Sequence, residues 1–278
     1  MRCSLALLLI CLLFSPLRSV ADSIKIVNWN VLYGFSALKT FDAGAEWLVE
    51  QSPDVVALQE LNGISEKKLR ELAGHWNHKF VATNKESGFP VGLTSKYPIT
   101  LIERQSVGYH HGFLHVKTKG INYFVVHFWP GKFHEMDEIT ERIKPILDSG
   151  EYVIVLGDFN GCSRKDKEFL ATVKTRDIEY NYTEKLEALK FVDIVHKHDP
   201  AAKISCPSPI TIPRWSENLK VLKSKQYRID FIFADDHLAK FSTQGTISLD
   251  KRIDKISDHY PVIARFSLPK EPLESNSQ

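Results

Sequence analysis

The chain has 278 residues, 43% hydrophobic and 25% charged, with 14 glycines and 13 prolines. Those proportions exclude collagen-like, low-complexity and disordered classes, and the length supports a large buried core without disulfide staples. A formal charge of +2 sets up no overall positive field to draw in nucleic acid.

In chain order, Arg2 marks a short positive end, residues 5–14 form an apolar run, and Ser19-Val20-Ala21 offers small residues to a signal peptidase. Residues 1–21 therefore read as a secretory signal peptide, with a mature chain starting at Asp22 in a secreted or periplasmic space. The apolar run is too short to cross a bilayer, which takes roughly 20 residues, so no stable membrane span is expected. Cys11 follows Ile10 rather than a small residue, which argues against a lipoprotein site. Removing Arg2 and Arg18 leaves 34 basic residues against 34 acidic ones. Only Cys162 and Cys206 remain, enough for one bridge but without the CxxC spacing of a zinc site.

Short β-branched and aromatic runs predict strands over 24–29, 54–58, 79–83, 91–95, 112–118, 121–127, 152–156, 229–233 and 260–266. Helical patterns fall over 37–50, 65–73, 136–148 and 165–173, the first placing Phe41, Ala45, Leu48 and Val49 on one face. The tight Lys119-Gly120 link implies an antiparallel hairpin. Mixed pairing with helices interspersed points to two sheets covered by outer helices. No repeat or linker divides residues 22–269, which read as one domain expected to be monomeric, followed by a polar, disordered tail at 270–278.

Several of these apolar strands end in groups that do not belong in a core. Asn28-Trp29-Asn30 closes the first and Gln59-Glu60 the second, His127 and Gly157-Asp158-Phe159-Asn160 close later ones, Asp230 interrupts an apolar run, and Asp258-His259 opens the last. Buried charges are costly unless paired or metal-bound, so the economical arrangement brings these groups together. Asp158 and Asn160, two apart, project to one side of an extended chain, as do Asn28 and Asn30, and Gly157 permits close backbone approach. A carboxylate at Asp230 is stabilised by orienting a histidine, with His259 the first candidate and His127 the second. Each segment alone has a simpler reading: a strand-end amide at Asn30, a helix-cap acid at Glu60, an Asx-turn at Asp158, a structural Arg228–Asp230 pair, a strand cap at Asp258-His259.

Taken together and in this order, with Leu93-Thr94-Ser95-Lys96-Tyr97-Pro98-Ile99 between them and Ser257 to Val262 closing the set, the segments resemble the endonuclease/exonuclease/phosphatase superfamily, which includes deoxyribonuclease I, exonuclease III and neutral sphingomyelinases. The resemblance spans nearly the whole mature chain. It implies a four-layer α/β/β/α sandwich of two mixed sheets with outer helices, and a site at one edge of the sheets. It further implies that Glu60 binds Mg²⁺ or another divalent cation such as Mn²⁺, with Asn30 and Asp258 nearby either as ligands or as groups that hold the ligands in place. Asp158 would orient or deprotonate the attacking water, Asn160 would hold a phosphate oxygen, His127 would hold another or serve as a second acid, and His259, oriented by Asp230, would stabilise the transition state or assist the leaving group. One departure is Leu32, two positions after Asn30, where members like exonuclease III usually carry an acid.

The resulting expectation is an exported, divalent-metal-dependent phosphoesterase acting on phosphodiesters, with nucleic acid the favoured substrate. Alternatives are a sphingomyelinase-type phospholipase C, a phosphoinositide phosphatase, or a binding module that has lost turnover. The stretch 214–228 carries Arg214, Lys220, Lys223, Lys225 and Arg228 against one acid, Glu217, and reads as either a phosphate-tracking rim or a solvated basic loop. His110, His111 and His134 lack metal-ligand spacing and read as exposed.

Overall fold

The structure is a computed structural model that describes residues 22–174 and 178–269, so the expected signal peptide and tail lie outside the described residues. Twelve strands are formed: β1 (Asp22–Asn30), β2 (Val55–Gln59), β3 (Phe80–Thr83), β4 (Gly92–Ser95), β5 (Thr100–Gln105), β6 (Phe113–Thr118), β7 (Ile121–His127), β8 (Tyr152–Asp158), β9 (Val192–Asp193), β10 (Asp230–Ala234), β11 (Ser242–Ile247) and β12 (Val262–Leu268). They build two six-stranded sheets, in the orders β11-β12-β1-β2-β4-β3 and β5-β6-β7-β8-β10-β9.

Each sheet contains one parallel pair, β1 with β2 and β7 with β8, among antiparallel neighbours. A parallel pair needs a crossover, and the helices Phe41–Gln51 and His134–Asp148 supply one each. The first covers its sheet through Trp47, whose ring meets Trp29 at 5.4 Å. The second packs Met136, Ile139 and Ile143 against Val153, Val155, Phe231 and Phe233. The β6–β7 turn is Lys119-Gly120, both at positive φ, as the right-handed twist of a two-residue hairpin requires. Helices on the outside and two sheets between them give the expected four layers.

The period-two alternation of the strands sorts the core. Ile24, Ile26, Tyr123, Val125, Ile154, Leu156 and Ile232 share the cluster between the sheets. Continuing each stripe by two residues reaches Asn28 and Asn30 on β1, His127 on β7 and Asp158 on β8, and stepping back two from Ile232 reaches Asp230 on β10. The inner apolar stripes thus run directly into the polar groups, all at one edge of the sandwich.

Some elements depart from the sequence reading. The polar β11, the exposed edge β5 and the two-residue β9 carry no apolar alternation and were not anticipated. The first helix starts at Phe41 and buries Gly44, Ala45, Trp47 and Leu48, whereas Val49 is exposed. The helix expected over 165–173 is a 3₁₀ turn, Arg164–Asp166, followed by the single α-turn Lys167–Leu170, because Asp166 turns inward to a buried arginine. Among the described residues no helix is long and apolar enough to cross a membrane.

Candidate active site

The C-terminal ends of the two parallel pairs lie in register, Asn30 beside Gln59 and His127 beside Asp158, and Asp230 opens β10 directly opposite Asp158. In open α/β architectures this carboxyl edge is where ligands bind. Gly157 makes the approach feasible: at φ 153°, a Cβ there would lie 1.9 Å from the Val126 carbonyl oxygen.

Asp158 is the hub. Its Oδ2 accepts from Asn30 Nδ2 at 3.1 Å and lies 3.4 Å from His127 Nε2 and 3.7 Å from His259 Nε2. Its Oδ1 accepts from the Asn160 backbone N–H at 2.9 Å, so the Asx-turn is present as well as the cluster. Asn160 itself is at φ 44°, not extended, and one amide N–H donates to the Phe128 carbonyl at 3.0 Å while the other is left for a ligand. Asn28, expected alongside Asn30, instead accepts from Gln59 Nε2 at 2.8 Å within the core.

His259 Nδ1 contacts Asp230 Oδ2 at 2.8 Å, the first of the two pairings foreseen for Asp230. Ser205 Oγ donates to the same oxygen at 2.6 Å and accepts from the Ile229 and Asp230 backbone N–H groups at 3.0 and 3.1 Å. Ser257 Oγ donates to the Asn30 carbonyl at 2.7 Å and accepts from the His259 N–H at 3.2 Å, fixing the last loop to the first strand.

Burial pushes the Asp158 carboxyl up to about 7, with His259 pulling the other way. Burial also works against the charged form of His259, but Asp230 and the other acids around it overcome that and hold its pKa well above the ordinary range. His127 goes in the opposite direction, driven well below its usual value by burial and by the neighbouring His111 and His259. These directions favour the charged form at His259 and the neutral form at His127, on either side of the Asp158 carboxyl.

Glu60 and Asp258 form an acidic corner. Glu60, at φ 57°, accepts from Asn30 Nδ2 at 3.3 Å and from the Tyr33 N–H at 3.0 Å. Its pKa is raised by burial and then by Asp258, and that of Asp258 is raised by its own burial. A buried Asp258 and a half-buried Glu60, like charges with oxygen donors, suit a hard divalent cation. Asp158, Asp230 and His259 also have ligand atoms within 4.8 Å of one another, but the closest of these atoms are already hydrogen-bonded to each other. Both this group and the all-oxygen corner are places whose side chains could hold a cation. Asn30 bridges that corner to Asp158, and the second carboxylate that Leu32 does not provide is available from Asp258.

The segment after β1 is strained. Leu32, Tyr33, Phe35, Ser36, Ala37 and Leu38 all lie at φ between 46° and 66°, a left-handed turn costing roughly 1–2 kcal/mol per residue. At Gly34 a Cβ would lie 2.4 Å from the Asn62 carbonyl. This turn aims the Tyr33 N–H at Glu60 and the Leu32 N–H at Asn30 Oδ1, 3.1 Å away. Strain stored in this way is characteristic of sites that must be pre-set.

Two readings are corrected. Arg228 is not a rim residue: it is 1% exposed and pairs with Asp166 and Asp193 at 2.7 Å each, not with Asp230. His111 is buried, stacked on His127 at 3.7 Å with Nδ1 on the His127 carbonyl at 2.9 Å, while His110 and His134 are exposed. Cys162 and Cys206 are buried free thiols sharing one small cluster with Leu170 and Ile229.

The sequence matches the Endonuclease/Exonuclease/phosphatase family over residues 27–259, from the first site strand to His259. The chain belongs to this family. It is a phosphoric ester hydrolase. Solved structures similar to it include an AP endonuclease from Archaeoglobus fulgidus, at TM-score 0.68 and 18% identity, covering 88% of this chain and 100% of that one. Another is a point variant of the 3′ phosphatase NExo from Neisseria, bound to product DNA hairpin, at TM-score 0.66 and 16% identity, covering 87% and 99%. The 3′-5′ exonuclease NExo from Neisseria meningitidis gives 0.68, 18%, 88% and 100%. At these identities the likeness is one of fold. No curated protein sequence matches the chain.

Proposed function

We propose that the protein is an exported, divalent-cation-dependent phosphodiesterase acting on nucleic acid. The observation that carries this is Asp158, held between a neutral His127 and a charged His259 and tied through Asn30 to the acidic corner of Glu60 and Asp258. A phosphodiester under attack needs a base, a cation beside the developing charge and a proton for the leaving oxygen, and these groups supply all three.

In this reading Asp158, with its pKa raised to about 7 by burial, accepts the proton of the attacking water near neutral pH. His259, kept charged and fixed in orientation by Asp230, stabilises the pentavalent phosphorus and donates toward the leaving oxygen. Neutral His127 and the free N–H of Asn160 hold phosphate oxygens. Glu60 and Asp258, steadied by Asn30, would hold Mg²⁺, which supplies Lewis-acid charge when bound.

Three features favour nucleic acid. Two of the similar structures are a 3′-5′ exonuclease and a 3′ phosphatase bound to a DNA hairpin. Beside His127, the half-exposed Trp129 ring meets His110 at 4.0 Å, a surface on which a base can stack. Arg214 and Lys225 line a hollow beside Cys206 and supply local positive charge where the expected mature chain is balanced. Export rests on the apolar and small-residue pattern of residues 1–21.

The test is side-by-side hydrolysis of plasmid DNA, RNA, sphingomyelin and phosphoinositides by the mature chain, with Mg²⁺ and with a chelator. Chelator-sensitive cleavage of DNA or RNA is expected. Turnover confined to lipid substrates, or unaffected by chelation, would overturn the proposal.

A further inference from the structure

One side chain away from the site there is a second concavity of about 570 Å³, lined in part by Lys174, Cys206, Arg214, Trp215, Lys225 and Tyr227. Cys206 joins the two, since it lines the hollow and its side chain lies beside the His259 ring. The backbone around it is laced to the catalytic loops. Cys206 N–H donates to the Tyr227 carbonyl at 3.1 Å and Tyr227 N–H to Cys206 at 2.8 Å, while Tyr260 N–H donates to Ser205 at 2.7 Å and Ser208 N–H to Asp258 at 2.8 Å. The concavity is therefore rigidly placed relative to Asp230, Asp258 and His259.

Among the described residues its lining holds three cations and no carboxylate. Among the described residues neither Lys174 nor Arg214 has an acidic partner. The Lys225 ammonium donates to the Trp215 carbonyl at 2.7 Å, which closes the rim and leaves two further N–H groups. Three like charges in one hollow, with no counter-charge among the described residues, attract an anion. Arg214 sits over the Trp215 ring at 6.0 Å, and with Tyr227 this gives flat apolar faces beside the charges. Phosphate next to an aromatic face is the pairing that single-stranded nucleic acid presents.

We infer that this concavity binds a second phosphate of the substrate, the one adjoining the phosphate that is hydrolysed, with its nucleoside against Trp215 and Tyr227. This deepens the phosphodiesterase reading and rests on it. The consequence is a preference for oligonucleotides over isolated phosphodiesters, set by Arg214, Lys225 and Lys174 and separate from the catalytic groups.

Binding read without turnover tests it. The probes are a thymidine dinucleotide with one internal phosphodiester, and the same dinucleotide with an added phosphate at its 5′ or its 3′ end, followed by tryptophan fluorescence with divalent cations omitted. One of the two phosphorylated forms should bind about tenfold tighter than the parent, the size expected for a charge-assisted contact, and the gain should shrink as salt rises. In Arg214→Ala/Lys225→Ala that gain should vanish. Arg214→Ala alone keeps the Lys225 tie to the rim and should lose most of the gain with an unchanged thermal midpoint. Equal affinity for all three probes in the wild-type chain, or a gain that survives both variants, overturns the inference. Failure to hydrolyse any phosphodiester would instead defeat the functional proposal, because this measurement involves no hydrolysis.

Discussion

Ser205 shows how much of the site hangs on a residue with no motif around it. Its hydroxyl takes two backbone N–H groups and passes one hydrogen bond to Asp230 Oδ2, the same atom that holds His259. Removing it leaves Asp230 one donor short in a dry environment and frees the carboxylate to rotate. Ser205→Ala should lower kcat about tenfold with little change in KM, as expected for a group acting through another in the transition state. A kcat equal to wild type would show that Asp230 needs no such support. Arg228 illustrates the opposite case, a basic residue beside Asp230 that serves the fold. With its two aspartate partners buried beside it, Arg228→Ala should cost about 3–5 kcal/mol of stability in urea titration. A loss below about 1 kcal/mol would contradict its role as a buried ion-pair centre. Asp158, Asp230 and His259 were legible because each is an ionisable group where an apolar stripe predicts none. Ser205 and His111 were not, because serine and histidine in loops carry no such contrast.

At the level of elements, the parallel strands and their crossover helices were readable from periodicity, and β5, β9 and β11 were not, since these three edge strands are polar, exposed or too short to show apolar alternation. The left-handed turn after β1 was invisible for a different reason: its conformation is imposed by Glu60 and Asn62 across the chain and not by its own side chains. Gly157 was legible as a point of close approach, and Gly157→Ala should strongly destabilise the chain, because β7 and β8 would have to part to admit a methyl group. An unchanged melting temperature would contradict the register of that pair. His78 gives the pH dependence. It is buried between Thr94 and the Pro53 carbonyl, at 2.8 and 2.9 Å, and burial lowers its pKa to about 4. Above pH 6.5 it is neutral whether folded or not, and its contribution is fully present. As pH falls from 6.5 toward 4 only the unfolded chain takes up the proton, so stability drops by up to ~1.4 kcal/mol per pH unit. His111, also lowered to about 4 by burial, adds a second such group. His78→Gln should flatten the slope of stability against pH in this window by up to one proton. An unaltered slope would mean that His78 is protonated in the folded chain.

For the molecule as a whole, the two sheets do the same thing from opposite sides. Each brings a parallel pair to the shared edge, and the two stripes are joined there: Asn30 from one reaches Asp158 from the other. The fold class and the convergence of the named site residues could be read from their order along the chain. Their hydrogen-bond roles could not, because Asn160 leaves the extended path and the neutral and charged states of His127 and His259 arise only from burial and neighbours. The central claim is that Asp158 and His259 act as one unit on one phosphate. The most direct measurement is kcat/KM for a simple phosphodiester, with Mg²⁺, in Asp158→Asn, His259→Gln and the double variant. Each single change should lower the rate by orders of magnitude at a nearly constant thermal midpoint, and the double variant should be scarcely worse than the poorer single. Losses that multiply in the double variant, or single variants that retain wild-type rates, would contradict the account.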